Sequence, residues 1–112
     1  MELEAGKIVE LHHEIKKKRP VIHCITNAVT VNDCANILLA CGGSPIMADD
    51  AGEVEEITSL CDGLVLNIGT LNQRTVTSME LAGKRANQLG HPVVLDPVGA
   101  GASALRTRTA LE

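Results

Sequence analysis

The sequence predicts an α/β fold, a parallel sheet with helices on both faces. Short β-branched or apolar runs alternate with helix-like segments along the chain. Each connection between successive strands holds one predicted helix, and connections of this kind join parallel strands through right-handed βαβ units. The chain contains no linker, repeat or low-complexity segment, so all of these elements are expected to belong to one domain.

The first helix and the first strand are delimited by charge and by proline. Residues 3–18 place their apolar side chains on one helical face and end in a basic run that complements the helix dipole. Pro20 then stops the helix. Residues 21–26 are rich in β-branched side chains, which is typical of a strand.

Glycine and acidic residues delimit the next elements. Residues 31–41 have the apolar spacing of a helix, which ends at the glycine pair 42–43. Residues 45–47 predict a short second strand. Residues 53–61 begin with an acidic residue and predict a third helix, with Leu60 among the apolar side chains that face inward.

The last elements continue the same alternation. Residues 64–68 and 92–95 predict two strands that are buried on both faces. Between them, residues 73–89 carry apolar side chains at intervals of three and four and predict the clearest helix, which Gly90 ends. Residues 104–112 predict the start of another helix.

Composition and charge argue against two classes of partner. The chain of 112 residues contains no Phe, Trp or Tyr and has a net charge of −4. RNA-binding modules stack bases on aromatic side chains, and binding to a phosphate backbone needs a basic surface. The longest uncharged stretch, residues 34–48, is shorter than the ~20 residues that span a bilayer. We therefore expect neither a nucleic-acid nor a membrane partner.

The four cysteines predict reduced thiols in a cytoplasmic protein. Cys24, Cys34, Cys41 and Cys61 are too widely spaced for a zinc site or a thioredoxin-like centre. The acidic N-terminus lacks the apolar region of a secretory signal. The histidines also lack ligand spacing, so structural roles are expected for them.

The ends of the predicted strands supply the candidate functional residues, because ligands bind outside the carboxyl ends of parallel strands. Asn27, Met47, Gly69 and Asp96 stand at these ends or just after them. Three of them also have structural interpretations: a turn cap for Asn27, core packing for Met47 and a tight turn for Gly69. Packing explains Asp96 less well, and its carboxylate suits a hard metal ion, a metal-bound water or a substrate hydroxyl.

A glycine pattern after the fourth strand allows a different function. Residues 99–104 match the dinucleotide fingerprint G-x-G-x-x-A. The match is weak, because the fingerprint normally follows the first strand of such a sheet. A phosphate-binding turn before a helix is still physically reasonable, because free backbone N–H groups favour anions.

Four ordered motifs resemble the hydroxyethylthiazole kinases, and the likeness runs from about residue 8 to the end of the chain. Each motif surrounds one of the predicted strand ends. The motifs are HCITN at 23–27, SPIMA at 44–48, LVLNIGTL at 64–71 and PVVLDPVGAGA at 92–102.

The resemblance implies a ribokinase-like fold and a reaction that uses ATP and Mg²⁺. The γ-phosphoryl group would move to the hydroxyl of 4-methyl-5-(2-hydroxyethyl)thiazole, in the thiazole salvage step of thiamine biosynthesis. The resemblance also implies that Asn27, Met47 and Gly69 line the thiazole pocket. Asp96 would be catalytic and would serve the phosphate–metal region, with Mg²⁺ held through water. Members of the family are usually homotrimers with sites between subunits.

Members of that family are considerably longer than this chain. By the resemblance, residues 1–112 are a single incomplete ribokinase-like domain, the N-terminal half of the fold, and most ATP contacts lie beyond Glu112. We therefore expect the 112-residue chain alone to be inactive. Two other interpretations remain open: a non-catalytic remnant or interaction module of the same fold, and a dinucleotide-binding α/β domain.

Overall fold

Helices and strands alternate along the chain as the sequence predicts. The computed structural model describes residues 5–111. Within them each predicted element is present, with its described ends within one residue of the prediction, and the predicted helix start at residue 3 lies outside the described residues. The elements are α1 (Ala5–Lys18), β1 (Val21–Ile25), α2 (Val31–Ala40), β2 (Ser44–Met47), α3 (Val54–Leu60), β3 (Gly63–Asn67), α4 (Gln73–Leu89), β4 (Val93–Asp96) and α5 (Ala104–Leu111).

The four strands form one parallel sheet in the order β2-β1-β3-β4. The first crossover runs in the opposite direction to the next two, so right-handed connections place α2 on one face and α3 and α4 on the other. Side-chain contacts agree with this arrangement, since His23 reaches Thr58 of α3 and Thr26 reaches Cys34 of α2. The predicted parallel sheet with helices on both faces is confirmed.

The hydrophobic core lies between the sheet and the α3–α4 layer. The long helix α4 is fixed at both ends: Asn72 and Thr75 form a reciprocal capping box, and Gly90 ends the helix in a left-handed conformation. Its buried face packs onto alternate residues of the central strands. The buried core residues are Ile25, Val54, Leu64, Ile68, Met79, Ala82 and Ala86.

Helix α3 is rotated relative to the prediction, and the inward orientation expected for Leu60 is wrong. Leu60 is 75% exposed, whereas Val54 and Thr58 are buried. Val54 and Thr58 are four residues apart and share one face of the helix, while Leu60 points away from that face. The hydrogen bond between Thr58 and His23 fixes this rotation, because the buried imidazole needs a polar partner.

Strand β4 is exposed along its whole length, so the expected burial on both faces is wrong for it. It is the outer strand of the described sheet, and Val94 is 60% exposed. Helices α1 and α2 likewise have no buried residue. Within the described part of the chain, no helix is long and apolar enough to cross a membrane.

Candidate active site

The structure brings the predicted site residues to one edge of the sheet, where all four strands end. Met47 and Asp96 are the last residues of β2 and β4, and Asn27 and Gly69 follow β1 and β3 by two residues. The strand order places Met47 at one end of this edge and Asp96 at the other. Asn27 and Gly69 lie between them, on the two central strands.

Asn27 caps the turn that leads into α2. Its side-chain Oδ1 accepts hydrogen bonds of 3.0 Å from the backbone N–H groups of Val29 and Thr30, and one of 3.1 Å from the Thr30 hydroxyl. The structural interpretation of Asn27 is therefore correct. The same side chain also turns its amide Nδ2 along the sheet edge, where it donates to Asn67 Oδ1 at 3.0 Å.

Asn67 joins Asn27 to Asp96 and was not singled out from the sequence. Its Oδ1 accepts from Asn27 Nδ2 and, at 2.9 Å, from the backbone N–H of Gly69. Its Nδ2 donates to Asp96 Oδ2 at 3.1 Å. One signal could have identified it: Asn67 is a polar residue within an otherwise apolar strand, at the end where ligands bind.

Gly69 and Thr70 close the edge against the Asn27 loop. A side chain at Gly69 would place its Cβ 2.9 Å from Asn27 Nδ2, so the close approach of the two loops requires glycine there. Thr70 has a positive φ of 44° and accepts a 2.9 Å hydrogen bond from the Ala28 backbone N–H through Oγ1. The expected tight turn is present, and it packs directly on a predicted site residue.

The backbone just beyond Met47 is held by side chains from two other elements. The carbonyl oxygen of Ala48 accepts from His23 Nε2 at 2.8 Å. The next carbonyl, that of Asp49, accepts from the Ser78 hydroxyl of α4 at 2.6 Å. These bonds fix the direction in which the chain leaves β2 and, with it, the position of the half-buried Met47.

His23 is a buried structural residue, as expected. It has no exposed surface, and its Nδ1 lies 2.8 Å from the Thr58 hydroxyl. The carbonyl of Ala48 can only accept, so Nε2 carries the proton and Nδ1 accepts from Thr58. Burial lowers the pKa of His23 below 6.5, and the Ala48 hydrogen bond and the Glu53 charge oppose this shift.

The four cysteines are free thiols. Cys24 is buried within the central strand β1, and burial raises its pKa to about 11, with smaller contributions from Cys34 and Cys61. A thiol with so high a pKa is not a nucleophile near neutral pH. Cys24 is therefore not a candidate catalytic residue.

Asp96 leads into a glycine turn, against which a cation of α5 packs. The turn contains Gly99 and Gly101, with φ of 77° and 92°. A side chain at Gly99 would collide with the Arg106 guanidinium, which packs against this glycine. The backbone N–H of Gly101 donates to Thr107 Oγ1 at 2.7 Å. Because a cation and a carboxylate flank the same glycine turn, this end of the sheet suits a phosphate with an associated metal ion.

Asp96 alone cannot form a metal site made only of protein ligands. Among residues 5–111, no group of three or more His, Cys, Asp or Glu could hold a metal ion. One carboxylate with room for water matches Mg²⁺, which keeps several waters and is commonly held by one or two carboxylates and by substrate phosphates. The residues present therefore fit Mg²⁺ held through water.

One groove of the structure lies away from this edge. It has a volume of about 530 Å³ and runs between β4, α4 and α5, with Leu66, Met79 and Leu95 in its wall. Leu66 and Leu95 directly precede Asn67 and Asp96, and successive side chains of a strand point to opposite faces. The groove is therefore on the opposite face of the sheet from the amide and carboxylate groups.

Comparison with known proteins gives a consistent result. The profile of the hydroxyethylthiazole kinase family matches residues 12–112. A hydroxyethylthiazole kinase of Clostridium acetobutylicum is 70% identical over 98 residues, which cover 88% of this chain and 36% of that protein. One of Alkaliphilus oremlandii is 60% identical over 109 residues, covering 97% of this chain and 40% of the relative.

A solved structure supports the same relationship. The hydroxyethylthiazole kinase protein of Pyrococcus horikoshii OT3 matches with a TM-score of 0.92 and 49% sequence identity, over 95% of this chain and 42% of the other. This chain thus spans about two-fifths of the length of the proteins it matches. The predicted fold class and the resemblance are confirmed, and the match to the family profile over residues 12–112 shows that the chain belongs to the hydroxyethylthiazole kinase family.

Proposed function

We propose that this chain supplies the thiazole-binding part of an enzyme that phosphorylates 4-methyl-5-(2-hydroxyethyl)thiazole with ATP, the thiazole salvage step of thiamine biosynthesis. The observation that carries the proposal is the 70% identity over 98 residues to the hydroxyethylthiazole kinase of C. acetobutylicum. Within the site, the side-chain hydrogen bonds that link Asn27 to Asp96 support it. They join the residue proposed for thiazole binding to the one proposed for phosphoryl transfer.

Each site residue has a proposed role. Met47, Asn27 and Gly69 line the thiazole pocket, and Met47 is suited to this because a flexible thioether adapts to an apolar ring. Asp96 is the catalytic carboxylate near the transferred phosphoryl group, where it holds Mg²⁺ through water. The bound Mg²⁺ would neutralise charge that develops on the phosphoryl oxygens. Asp96 accepts from Asn67 Nδ2 through Oδ2, so Oδ1 would remain available to hold the metal ion through water.

Further parts of the proposal concern the whole enzyme. Residues 1–112 belong to a single ribokinase-like domain, and most ATP contacts lie beyond Glu112. The enzyme is a homotrimer, for which the exposed Ile8, Ile37 and Leu39 on α1 and α2 offer apolar contact surface. A cytoplasmic location is in keeping with the free cysteines.

A chimera tests the proposed activity. The 98 matched residues of this chain replace their counterparts in the C. acetobutylicum relative, and ADP release is measured with and without the thiazole alcohol. We expect ADP release that depends on both the thiazole alcohol and Mg²⁺. A folded chimera without such activity, beside an active unmodified relative, would contradict the proposed function. A binding titration of the chimera with NAD instead of the thiazole alcohol tests the alternative that the chain is a dinucleotide-binding domain.

A further inference from the structure

Asn67 is placed to control Asp96. We propose that Asn67 is a positioning residue that holds the Asp96 carboxylate in a fixed orientation relative to the Asn27 loop; this inference rests on the proposed function. Asn67 and Asp96 are register partners on β3 and β4, and Asn67 Nδ2 donates to Asp96 Oδ2 at 3.1 Å. Asp96 is exposed on an outer strand, so little else restrains its side chain.

Asn27, Asn67 and Asp96 form a row of hydrogen-bonded side chains along the sheet edge. Backbone N–H groups fix the direction of each hydrogen bond in this row. The N–H groups of Val29 and Thr30 require the oxygen of the Asn27 amide, which leaves its nitrogen to donate to Asn67. The N–H of Gly69 likewise requires the oxygen of Asn67. The Asn67 nitrogen is therefore the only atom of that amide left to face Asp96, and it presents a donor to a carboxylate oxygen.

The row connects two strands that do not touch. Strand β3 separates β1 from β4, so the Asn27 loop and Asp96 are joined through a side chain of β3. Asn67 is only 9% exposed, and partners on both sides restrict its rotation. A restrained amide can hold the carboxylate at one distance from a substrate that contacts Asn27. Such fixed geometry is what phosphoryl transfer requires, because the protein contributes mainly positioning and charge stabilisation.

Asn67→Asp tests this role, because it keeps a side-chain oxygen that accepts and replaces the NH₂ group with a second oxygen. One carboxylate oxygen can still accept from Asn27 and Gly69, while the other replaces the donor and repels Asp96. In the chimera we expect kcat to fall by about 100-fold, the scale of a misplaced catalytic group, with the KM for the thiazole alcohol changed by less than about twofold. Uniform damage to the pocket would instead raise KM as well.

A double-mutant cycle with Asp96→Asn separates positioning from folding. In the Asp96→Asn background the new amide can donate to the carboxylate at position 67, and the repulsion is gone. If Asn67 acts through Asp96, Asn67→Asp should then change kcat by less than about twofold. If Asn67 supports only the fold, the two losses should multiply.

A second variant covers the case in which Asn67→Asp does not fold. Asn67→Ala removes the donor to Asp96 without adding charge, and we expect it to lower kcat by about tenfold with Asp96 present and by less than about twofold with Asp96→Asn. Equal kcat losses in both backgrounds, in a chimera that is itself active, would overturn the role of Asn67 alone. An inactive parent chimera would overturn the proposed function and, with it, any part for Asn67 in this reaction.

Discussion

His23 and Ala48 are joined by a 2.8 Å hydrogen bond from the buried imidazole Nε2 to the carbonyl oxygen, one residue beyond Met47. This bond connects the central strand β1 to the point where β2 ends. On its other side the ring accepts from Thr58 of α3. A single neutral imidazole therefore ties the core, α3 and the proposed thiazole pocket together.

Because the buried imidazole of His23 favours its neutral form, we expect the free energy of unfolding to depend on pH. Burial lowers the pKa of His23 in the folded chain, so the unfolded chain, with a pKa near 6.5, binds the proton more readily. The stability that His23 contributes is therefore complete above pH 6.5. It is lost as the pH falls below 6.5 towards the folded-state pKa, with a slope of at most about 1.4 kcal/mol per pH unit. Urea unfolding of the chimera between about pH 5 and about pH 8 measures this slope.

Matched histidine variants identify the source of that slope. Glutamine can donate to Ala48 and accept from Thr58 without titrating, so His23→Gln should flatten the dependence below pH 6.5. His12→Gln is the matched control, because it replaces an exposed imidazole on α1 that contacts neither Ala48 nor Thr58. An identical slope in the chimera and in its His23→Gln variant would show that another group is responsible.

Met47→Ala in the chimera should weaken thiazole binding. Truncation removes apolar surface that a bound thiazole would cover, and we expect a loss of about 1–3 kcal/mol in binding free energy, measured by calorimetry. The control is Leu60→Ala, which truncates an exposed side chain of α3. Unchanged affinity for Met47→Ala would remove Met47 from the proposed pocket.

Asp96→Asn should impair catalysis while the fold persists. The amide keeps the size of the carboxylate but not its charge, which the proposed transfer step needs near Mg²⁺ and phosphate. We expect the melting temperature of the chimera to stay within a few degrees and kcat to fall at least about 100-fold, the scale of losing one electrostatic group. Asp62→Asn is the control, because Asp62 lies at the opposite edge of the sheet, where it accepts from the Val21 N–H. Full activity of Asp96→Asn would contradict a catalytic role.

The exposed strand β4 predicts that the 112-residue chain associates by itself. An outer strand with uncovered apolar side chains offers both unpaired backbone groups and apolar surface to another copy. Size-exclusion chromatography should show concentration-dependent association, which Val94→Lys should reduce and Leu60→Lys should not. We also expect no thiazole-dependent ADP release from this chain alone. A monomeric, cooperatively melting chain that releases ADP would contradict both expectations.

The elements of this fold could be predicted because their signals are local. The apolar spacing of α4, its end at Gly90 and the β-branched run of β1 each depend on a few neighbouring residues. Helix rotation was less predictable, as Leu60 and Thr58 show. Hydropathy predicts Leu60 inside, but the buried His23 of β1 needs the Thr58 hydroxyl as its partner. Such a requirement comes from a residue distant in sequence, so the local pattern does not contain it.

The sequence by itself determined the alternation of strands and helices, the parallel sheet and the edge at which Asn27, Met47, Gly69 and Asp96 lie. These follow from periodicity, turn residues and the handedness of βαβ connections, which hold for any such chain. Only the tertiary structure decided that Asn67 joins Asn27 to Asp96 and that β4 is exposed. Hydrogen-bond partners and burial depend on strand register and on which surfaces the fold covers, and residues far apart in the chain set both.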